Sequence, residues 1–206
     1  MRKKKIEISA GAILLLSVAY FFGAYELIAL TVSAAFFHEA GHFLALRLSG
    51  GRAEGLLITA DGFKIKYSGM QSYAKELLIL LAGPAASLLF AVIAADIARR
   101  LSSELFLQAA GLSLIYCIFN LLPVCPLDGG QALFSIIAYR RGPHTAERTL
   151  FVSGLLVVLI MCTASVFLLF RFGLNLNLPL ATLALLLSFC KWQKHDIMTA
   201  NSHYIV

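Results

Sequence analysis

Charged side chains are scarce in this chain of 206 residues: only 14% are Asp, Glu, Lys or Arg, whereas 60% are hydrophobic. Soluble domains usually carry about 25% charged residues, so the composition argues against a soluble globular enzyme and excludes a disordered chain. The net charge is +6, but the basic residues are scattered between apolar runs and form no strip with interleaved aromatic residues. We therefore expect no nucleic-acid partner.

Paired cysteines, linkers and repeats are also missing. The four cysteines form no Cys-x-x-Cys pair and mostly lie in apolar stretches, so buried free thiols are expected and a disulfide framework is not. They are Cys117, Cys125, Cys162 and Cys190. No linker, low-complexity tract or internal repeat separates a second domain. The sequence therefore predicts a single integral-membrane domain over residues 1–206.

Six apolar stretches are long enough to cross a bilayer, which predicts an all-α polytopic membrane protein with about six transmembrane helices. They cover residues 7–24, 26–48, 74–97, 104–122, 149–170 and 174–191. The first stretch follows a basic N-terminus and could be read as a secretory signal. A second membrane segment follows directly, so we interpret the first as an uncleaved helix.

Basic residues are distributed unevenly between the predicted loops. With the N-terminus inside, most lysines and arginines fall on the cytoplasmic side, and only Arg99, Arg100 and Arg171 fall on the other. This imbalance predicts that both termini are cytoplasmic. The cytoplasmic half of the second span then contains His38 and His42.

Residues 50–73 differ in kind from the helical stretches. Two short apolar segments, 56–60 and 63–67, flank Asp61-Gly62, which predicts a small β-hairpin at about 52–70, between the second and third helices. Two interpretations stay open. The hairpin is either a membrane-associated connector or an exposed strand edge that holds an unwound substrate segment by β-augmentation.

The second apolar stretch contains His38-Glu39-Ala40-Gly41-His42. Two imidazoles and a carboxylate are costly at membrane depth and need a compensating partner. Because a helix places residues four apart on one face, His38 and His42 can both bind one zinc ion, and Glu39 is placed to take a proton from water there. The alternative is two helix histidines satisfied by neighbouring carbonyl groups. For Gly41 we favour tight helix packing over a close approach of backbone to the metal.

A site with two histidines needs at least one more protein ligand, with one position left for water. The candidate is Asp128, within a stretch that Pro123, Pro126 and two glycines break. Broken helix at membrane depth persists only where protein or a water cavity satisfies its backbone, so this aspartate could meet a metal held by another helix. The alternative is a helix N-cap before the helical run 131–139. The remaining histidines fall in predicted cytoplasmic segments and are interpreted as surface residues: His144, His195 and His203.

These motifs, in this order and on separate helices, resemble those of the site-2 protease family of intramembrane zinc metalloproteases. The resemblance covers most of the chain and rests on His38-Glu39-x-x-His42, Ala82-Gly83-Pro84 and the segment Asn-Leu-Leu-Pro-x-x-Pro-Leu-Asp-Gly-Gly at 120–130. It implies a three-helix catalytic core formed by spans two to four, within a peptidase core at about 26–139. It also implies one Zn²⁺ per chain, held by His38, His42 and Asp128. The family roles further imply catalysis by Glu39 and a substrate-positioning or oxyanion-stabilising role for Asn120.

Within the family, the second motif looks most like the branch that contains the sporulation factor-processing protease, which implies a bacterial cytoplasmic membrane. Two departures are visible. Ser87 stands in the region where family members often carry an asparagine, and only 15 residues follow Lys191, too few for the cytosolic nucleotide-sensing domain of that branch. There is also no room for a PDZ domain, so we expect neither kind of regulation.

The sequence therefore predicts a protease that hydrolyses a peptide bond within or next to a transmembrane segment of a membrane protein, in regulated intramembrane proteolysis. A regulatory membrane partner is a further candidate. One alternative is a zinc-binding membrane transporter, which would not need Glu39 and would often show paired broken helices in matching halves. A second is a non-catalytic pseudoprotease scaffold, against which the complete set of ligands and base argues.

Overall fold

A computed structural model describes residues 5–8, 25–50, 52–59, 62–68, 72–125, 127–172, 182–183, 185–187 and 189–190. These residues are mostly helical, and they fall into two compact units that divide between Leu121 and Leu122. Residues 9–24 of the first predicted span lie outside the described residues, as does most of the last, 174–191. The prediction of one domain stays a prediction.

Three helices of the first unit pack against one another: α1 (Tyr25–Leu48), α2 (Tyr73–Leu101) and α3 (Glu104–Asn120). Each coincides with one predicted span, so the helices of the expected catalytic core are confirmed. In the described part of the chain, Ile28–Leu48, Tyr73–Leu101 and Pro143–Arg171 are long and apolar enough to cross a membrane. Helix α3, with 17 residues, rises only about 25 Å and is shorter than a full span. The count of six spans is therefore not established.

Small residues line the contact between α2 and α3. The buried residues of α2 are mostly glycine, alanine and serine. The buried residues of α3 are also small: Ala109, Ala110, Ser113 and Cys117. Two side chains of α3 also reach the backbone of α2: Ser113 Oγ donates to the carbonyl of Ser87 at 2.9 Å, and Cys117 Sγ donates to that of Pro84 at 3.2 Å. Small side chains let the two backbones approach closely. Membrane helices associate by such packing, because surrounding lipid leaves no hydrophobic driving force between them.

The connection from α2 to α3 is only two residues long, so the two helices must run antiparallel. Ser102 takes up the left-handed conformation, with φ at 49°, and its N–H donates to the carbonyl of Ala98. This turn ends α2 and returns the chain directly along it.

A three-stranded sheet lies beside these helices, in the order β1 (Lys5–Ile8), β2 (Arg52–Thr59) and β3 (Gly62–Ser68). β1 is parallel to β2, whereas β2 and β3 are antiparallel with Leu57 opposite Lys64. Both β2 and β3 contact α1. Strand β1 is not expected from the sequence, since its last two residues, Glu7 and Ile8, begin the predicted first helix.

The second unit contains α4 (Asp128–Arg141) and α5 (Pro143–Phe172), which pack against each other. Gly142 joins them with φ at 87°, a conformation that favours glycine. The predicted helical run 131–139 lies inside α4, and the predicted span 149–170 lies inside α5. Both are confirmed as helices.

The free thiols are confirmed in part. No disulfide joins the four cysteines, and Cys117 and Cys125 are buried. Cys162 is half-buried and Cys190 is exposed, so burial was wrongly expected for the latter.

Candidate active site

Helix α1 buries two histidines side by side. His38 and His42 are 2% and 3% exposed, on a helix that is mostly apolar. Because they stand four residues apart, their rings meet on one face, at an interplanar angle of 81° with the Nε2 atoms 3.1 Å apart. The structure therefore brings together the first pair of predicted ligands.

The other nitrogen of each ring bonds to α2. His42 Nδ1 donates to the carbonyl of Ile79 at 2.7 Å, and His38 Nδ1 lies 2.9 Å from Ser87 Oγ. A carbonyl oxygen only accepts, so neutral His42 carries its proton on Nδ1 and a lone pair on Nε2. A ring held this way presents Nε2 to a metal.

This pair fits a zinc ion. Two nitrogens bound to tetrahedral zinc at 2.0–2.1 Å are about 3.3 Å apart, close to the 3.1 Å between the two Nε2 atoms. The rings would therefore need only a small adjustment to bind the metal together.

Two glycines allow α2 to lie against this face of α1. A Cβ on Gly83 would overlap the ring of His42, and one on Gly41 would overlap the carbonyl of Ala82. The interpretation of Gly41 as a tight packing position is therefore confirmed. Gly83 carries part of the family resemblance, but its role is not predictable from the sequence, because spacing along α2 does not show which side chain of α1 lies against it.

Helix α3 adds an aromatic side chain that the sequence did not single out. The ring of Tyr116 meets that of His38 edge-on, with centroids 5.0 Å apart and planes at 83°. One turn later, Asn120 Nδ2 donates to the carbonyl of Tyr116 at 3.0 Å. Asn120 therefore closes the last turn of its own helix.

Glu39 directly follows His38 on α1 and is half-buried there.

Asp128 belongs to the second unit, where it is the first residue of α4 and only 2% exposed. The turn before it is closed by the N–H of Leu127, which donates to the carbonyl of Val124 at 2.8 Å. Gly130 packs so closely on Val124 that a Cβ would overlap the backbone there. Leu127 occupies the cap position and Asp128 does not, so the alternative role of Asp128 as a helix N-cap is wrong.

The predicted surface histidines can be checked at one position. His144 is exposed on α5 and lies 3.6 Å from Glu147, as expected of a surface residue. His195 and His203 lie outside the described residues.

An apolar helix that buries two converging imidazoles beside a glutamate defines a class: a metallopeptidase-like site on a membrane helix. Comparison with known protein families leads to the same class. The family model described as Peptidase M50B-like matches residues 8–127, and the family model described as Peptidase family M50 matches residues 95–162.

The chain therefore belongs to peptidase family M50, the site-2 protease family of integral-membrane metallopeptidases. This confirms the resemblance at family level.

Among solved structures, the chain is similar to a site-2 protease from Methanocaldococcus jannaschii, with a TM-score of 0.71 and 23% identity. The match covers 100% of this chain and 99% of that one, and at this identity it shows the fold. A comparison with curated proteins gives no match.

Proposed function

We propose that this chain is an intramembrane zinc endopeptidase that hydrolyses a peptide bond within or next to a transmembrane segment of a membrane protein. The observation that carries the proposal is the pair of Nε2 atoms, 3.1 Å apart on a helix long and apolar enough to cross a membrane. Neutral imidazoles at membrane depth are rarely without a functional partner.

We propose that one zinc ion is held by His38, His42 and Asp128. The histidine pair supports two of these ligands. For the third, the support is a buried carboxylate at the first position of a helix that follows a tight turn. Zinc, when bound in such a site, supplies a Lewis acid that polarises a carbonyl group and makes hydroxide available near neutral pH.

Glu39 is the proposed general base. It follows His38 directly, so its carboxylate projects from an adjacent face of α1 and is half-buried there. In this role it takes a proton from the attacking water and returns it to the leaving amine. Asn120 is the proposed oxyanion donor. Its amide carries two N–H groups, so the hydrogen bond to Tyr116 and a second one to an oxyanion are compatible.

The proposed substrate is a helix that unwinds locally, since a helix hides its peptide bonds. Strand β3 is an edge of the described sheet, and both β2 and β3 contact the helix that bears the histidines. An unwound segment could therefore extend this sheet within reach of α1. We also propose that a second membrane protein acts as a regulatory partner.

We further propose a bacterial cytoplasmic membrane with both termini cytoplasmic and the site near that side. The support is the uneven distribution of lysine and arginine between loops. The motif at 120–130 supports a place near the sporulation branch.

Replacement of Glu39 by glutamine tests the proposal. In cells that express Glu39→Gln, quantitative membrane proteomics should find transmembrane fragments missing that wild-type cells contain. Glu104→Gln is the matched control, since Glu104 is an exposed glutamate at the start of α3. An unchanged set of fragments in Glu39→Gln cells would remove the base assignment. Uptake of zinc into vesicles that survives the same substitution would instead favour a transporter.

A further inference from the structure

Two exposed pairs of neighbouring arginines end two helices of this chain, and the pairs differ in their partners. At the end of α2, the guanidinium groups of Arg99 and Arg100 each lie 2.7 Å from the carboxylate of Asp96. At the end of α4, Arg140 and Arg141 are also exposed, and neither forms an ion pair in the described part of the chain. The first pair is therefore matched by a carboxylate, and the second is not.

A third unmatched arginine lies on the other side of the turn that follows this second pair. Gly142 alone joins α4 to α5, and the two helices pack against each other. Arg148 is exposed in the second turn of α5 and has no ion pair among the residues that the structure describes. The carboxylate of Glu147 lies 3.6 Å from His144 instead. We call these three unmatched arginines the basic corner: Arg140, Arg141 and Arg148.

The length of α5 places the basic corner at the level of the lipid headgroups. Helix α5 is long and apolar enough to cross a membrane, and the 22 residues 149–170 between Arg148 and Arg171 carry no charge. In a helix those residues rise about 33 Å. The hydrocarbon core of a bilayer is about 30 Å thick, so the two arginines lie at its two boundaries. Tyr139, which is 76% exposed at the end of α4, is of a residue type enriched at these boundaries.

We propose that the basic corner binds the headgroups of anionic phospholipids and thereby anchors the turn between α4 and α5 at the membrane surface. A guanidinium group pairs with phosphate oxygens through two N–H donors, and no carboxylate in the described part of the chain occupies those of the basic corner. A zwitterionic headgroup carries its own cation beside the phosphate, whereas an anionic headgroup leaves a negative charge for the arginines to match. The proposal requires neither zinc nor cleavage, so it is independent of the proposed function.

Tryptophan fluorescence with brominated lipids measures which lipid lies beside the basic corner. In the full chain, Trp192→Phe removes the single tryptophan, and Tyr139→Trp places one at the end of α4. The protein is reconstituted in vesicles of phosphatidylcholine and phosphatidylglycerol, in which one lipid or the other is brominated. Because bromine quenches only a tryptophan that it contacts, the ratio of quenching gives the relative affinity of the two lipids there. We expect phosphatidylglycerol to be favoured about 10-fold or more, since each basic residue near an anionic surface contributes about fivefold.

Substitution of the two arginine pairs shows whether unmatched charge causes this preference. In the Tyr139→Trp background, Arg140→Gln combined with Arg141→Gln should lower the preference by about 10-fold. Arg99→Gln combined with Arg100→Gln is the matched control, because it also removes two neighbouring arginines from the last turn of a helix. It should change the preference less than about threefold, since Asp96 already matches those charges.

The lipid beside the matched pair provides a second comparison. Leu101 follows Arg100 and is 66% exposed, so Leu101→Trp, again with Trp192→Phe, reports on the end of α2. There we expect phosphatidylglycerol to be favoured less than about threefold. An equal preference at Tyr139→Trp and at Leu101→Trp would overturn the proposal.

Three further outcomes would also overturn it. The first is no preference for phosphatidylglycerol at Tyr139→Trp, and the second is a preference that survives the loss of Arg140 and Arg141. The third is a preference that inorganic phosphate abolishes and chloride of the same ionic strength does not, which would indicate a site for a free anion. If the double variant does not fold, Arg148→Gln alone decides, with an expected loss of about fivefold.

Discussion

Helices α2 and α5 have nearly the same length and the same apolar character, yet they are used differently. Both could cross a membrane, but 39% of the most apolar window of α2 is buried, against 17% for α5. Both expose large side chains, such as Leu89 on α2 and Phe167 on α5, but the buried residues of α2 are mostly small, whereas those of α5 include Leu150 and Val158. Hydropathy therefore does not distinguish the two helices, whereas the size of the buried side chains does.

The difference extends to the site, because α2 supplies a hydrogen-bond partner to the Nδ1 atom of each histidine. The carbonyl of Ile79, the space over Gly83 and the hydroxyl of Ser87 lie at intervals of four residues along one face of α2. A helix that buried large side chains there could not approach His38 and His42 closely enough to orient them.

Glycine substitutions give the largest expected contrast between the two helices. In α2, Gly83→Ala would push a methyl group into the His42 ring, which its bond to Ile79 holds in place. We expect the affinity for Zn²⁺ and the rate of cleavage to fall by about 100-fold or more. In α5, Gly154→Ala would overlap the buried ring of Phe189, which the proposed zinc site does not include, so both quantities should change little.

The control for these substitutions is Gly111→Ala on α3, where nothing lies within 4 Å of the added methyl group. Competition for Zn²⁺ with a chelating indicator measures all three variants. Equal losses in Gly83→Ala and Gly154→Ala would show that α2 has no special place at the site.

The histidine pair and the helices of the first unit could be predicted from the sequence. The partners of the histidines on α2 and strand β1 could not, for physical reasons. The spacing of His38 and His42 fixed their common face, because helix geometry is local. Their partners on α2 were hidden, since Ile79 contributes a backbone carbonyl and Gly83 contributes empty space, neither of which has a side-chain signature. Ser87 was noticed only as a departure from an expected asparagine. Strand β1 was missed because its last two residues begin an apolar run that predicts a helix.

Enlarging small residues gives the next contrast. Ala94 of α2 is 1% exposed and packs in one cluster with Ala109 and Ala110 of α3. We expect Ala94→Leu to lower the free energy of unfolding by about 1–3 kcal/mol, since the contact has no room for three more carbons. Ala164→Leu on α5 is the matched substitution at a half-buried alanine, and it should cost less than about 1 kcal/mol.

Thermal or denaturant unfolding in detergent micelles measures both alanine variants. The comparison between helices would fail if the leucine on α5 were as destabilising as the one on α2. If neither variant lost much free energy of unfolding, α3 would be able to move away from α2 without cost.

Removing single hydroxyls gives the smallest expected effect. Ser113 on α3 donates to the carbonyl of Ser87 at 2.9 Å and is fully buried, whereas Ser153 on α5 donates to that of Pro123 at 2.8 Å and is half-buried. Hydrogen bonds between membrane helices contribute about 0.6 kcal/mol on average, so each alanine variant should lose stability on that scale. Ser113→Ala should lose more, because it leaves a cavity at a fully enclosed site, whereas the half-buried site of Ser153 can relax. Unfolding of both variants in the same detergent measures the difference, and a larger loss for Ser153→Ala would mean that burial does not set the value of these bonds.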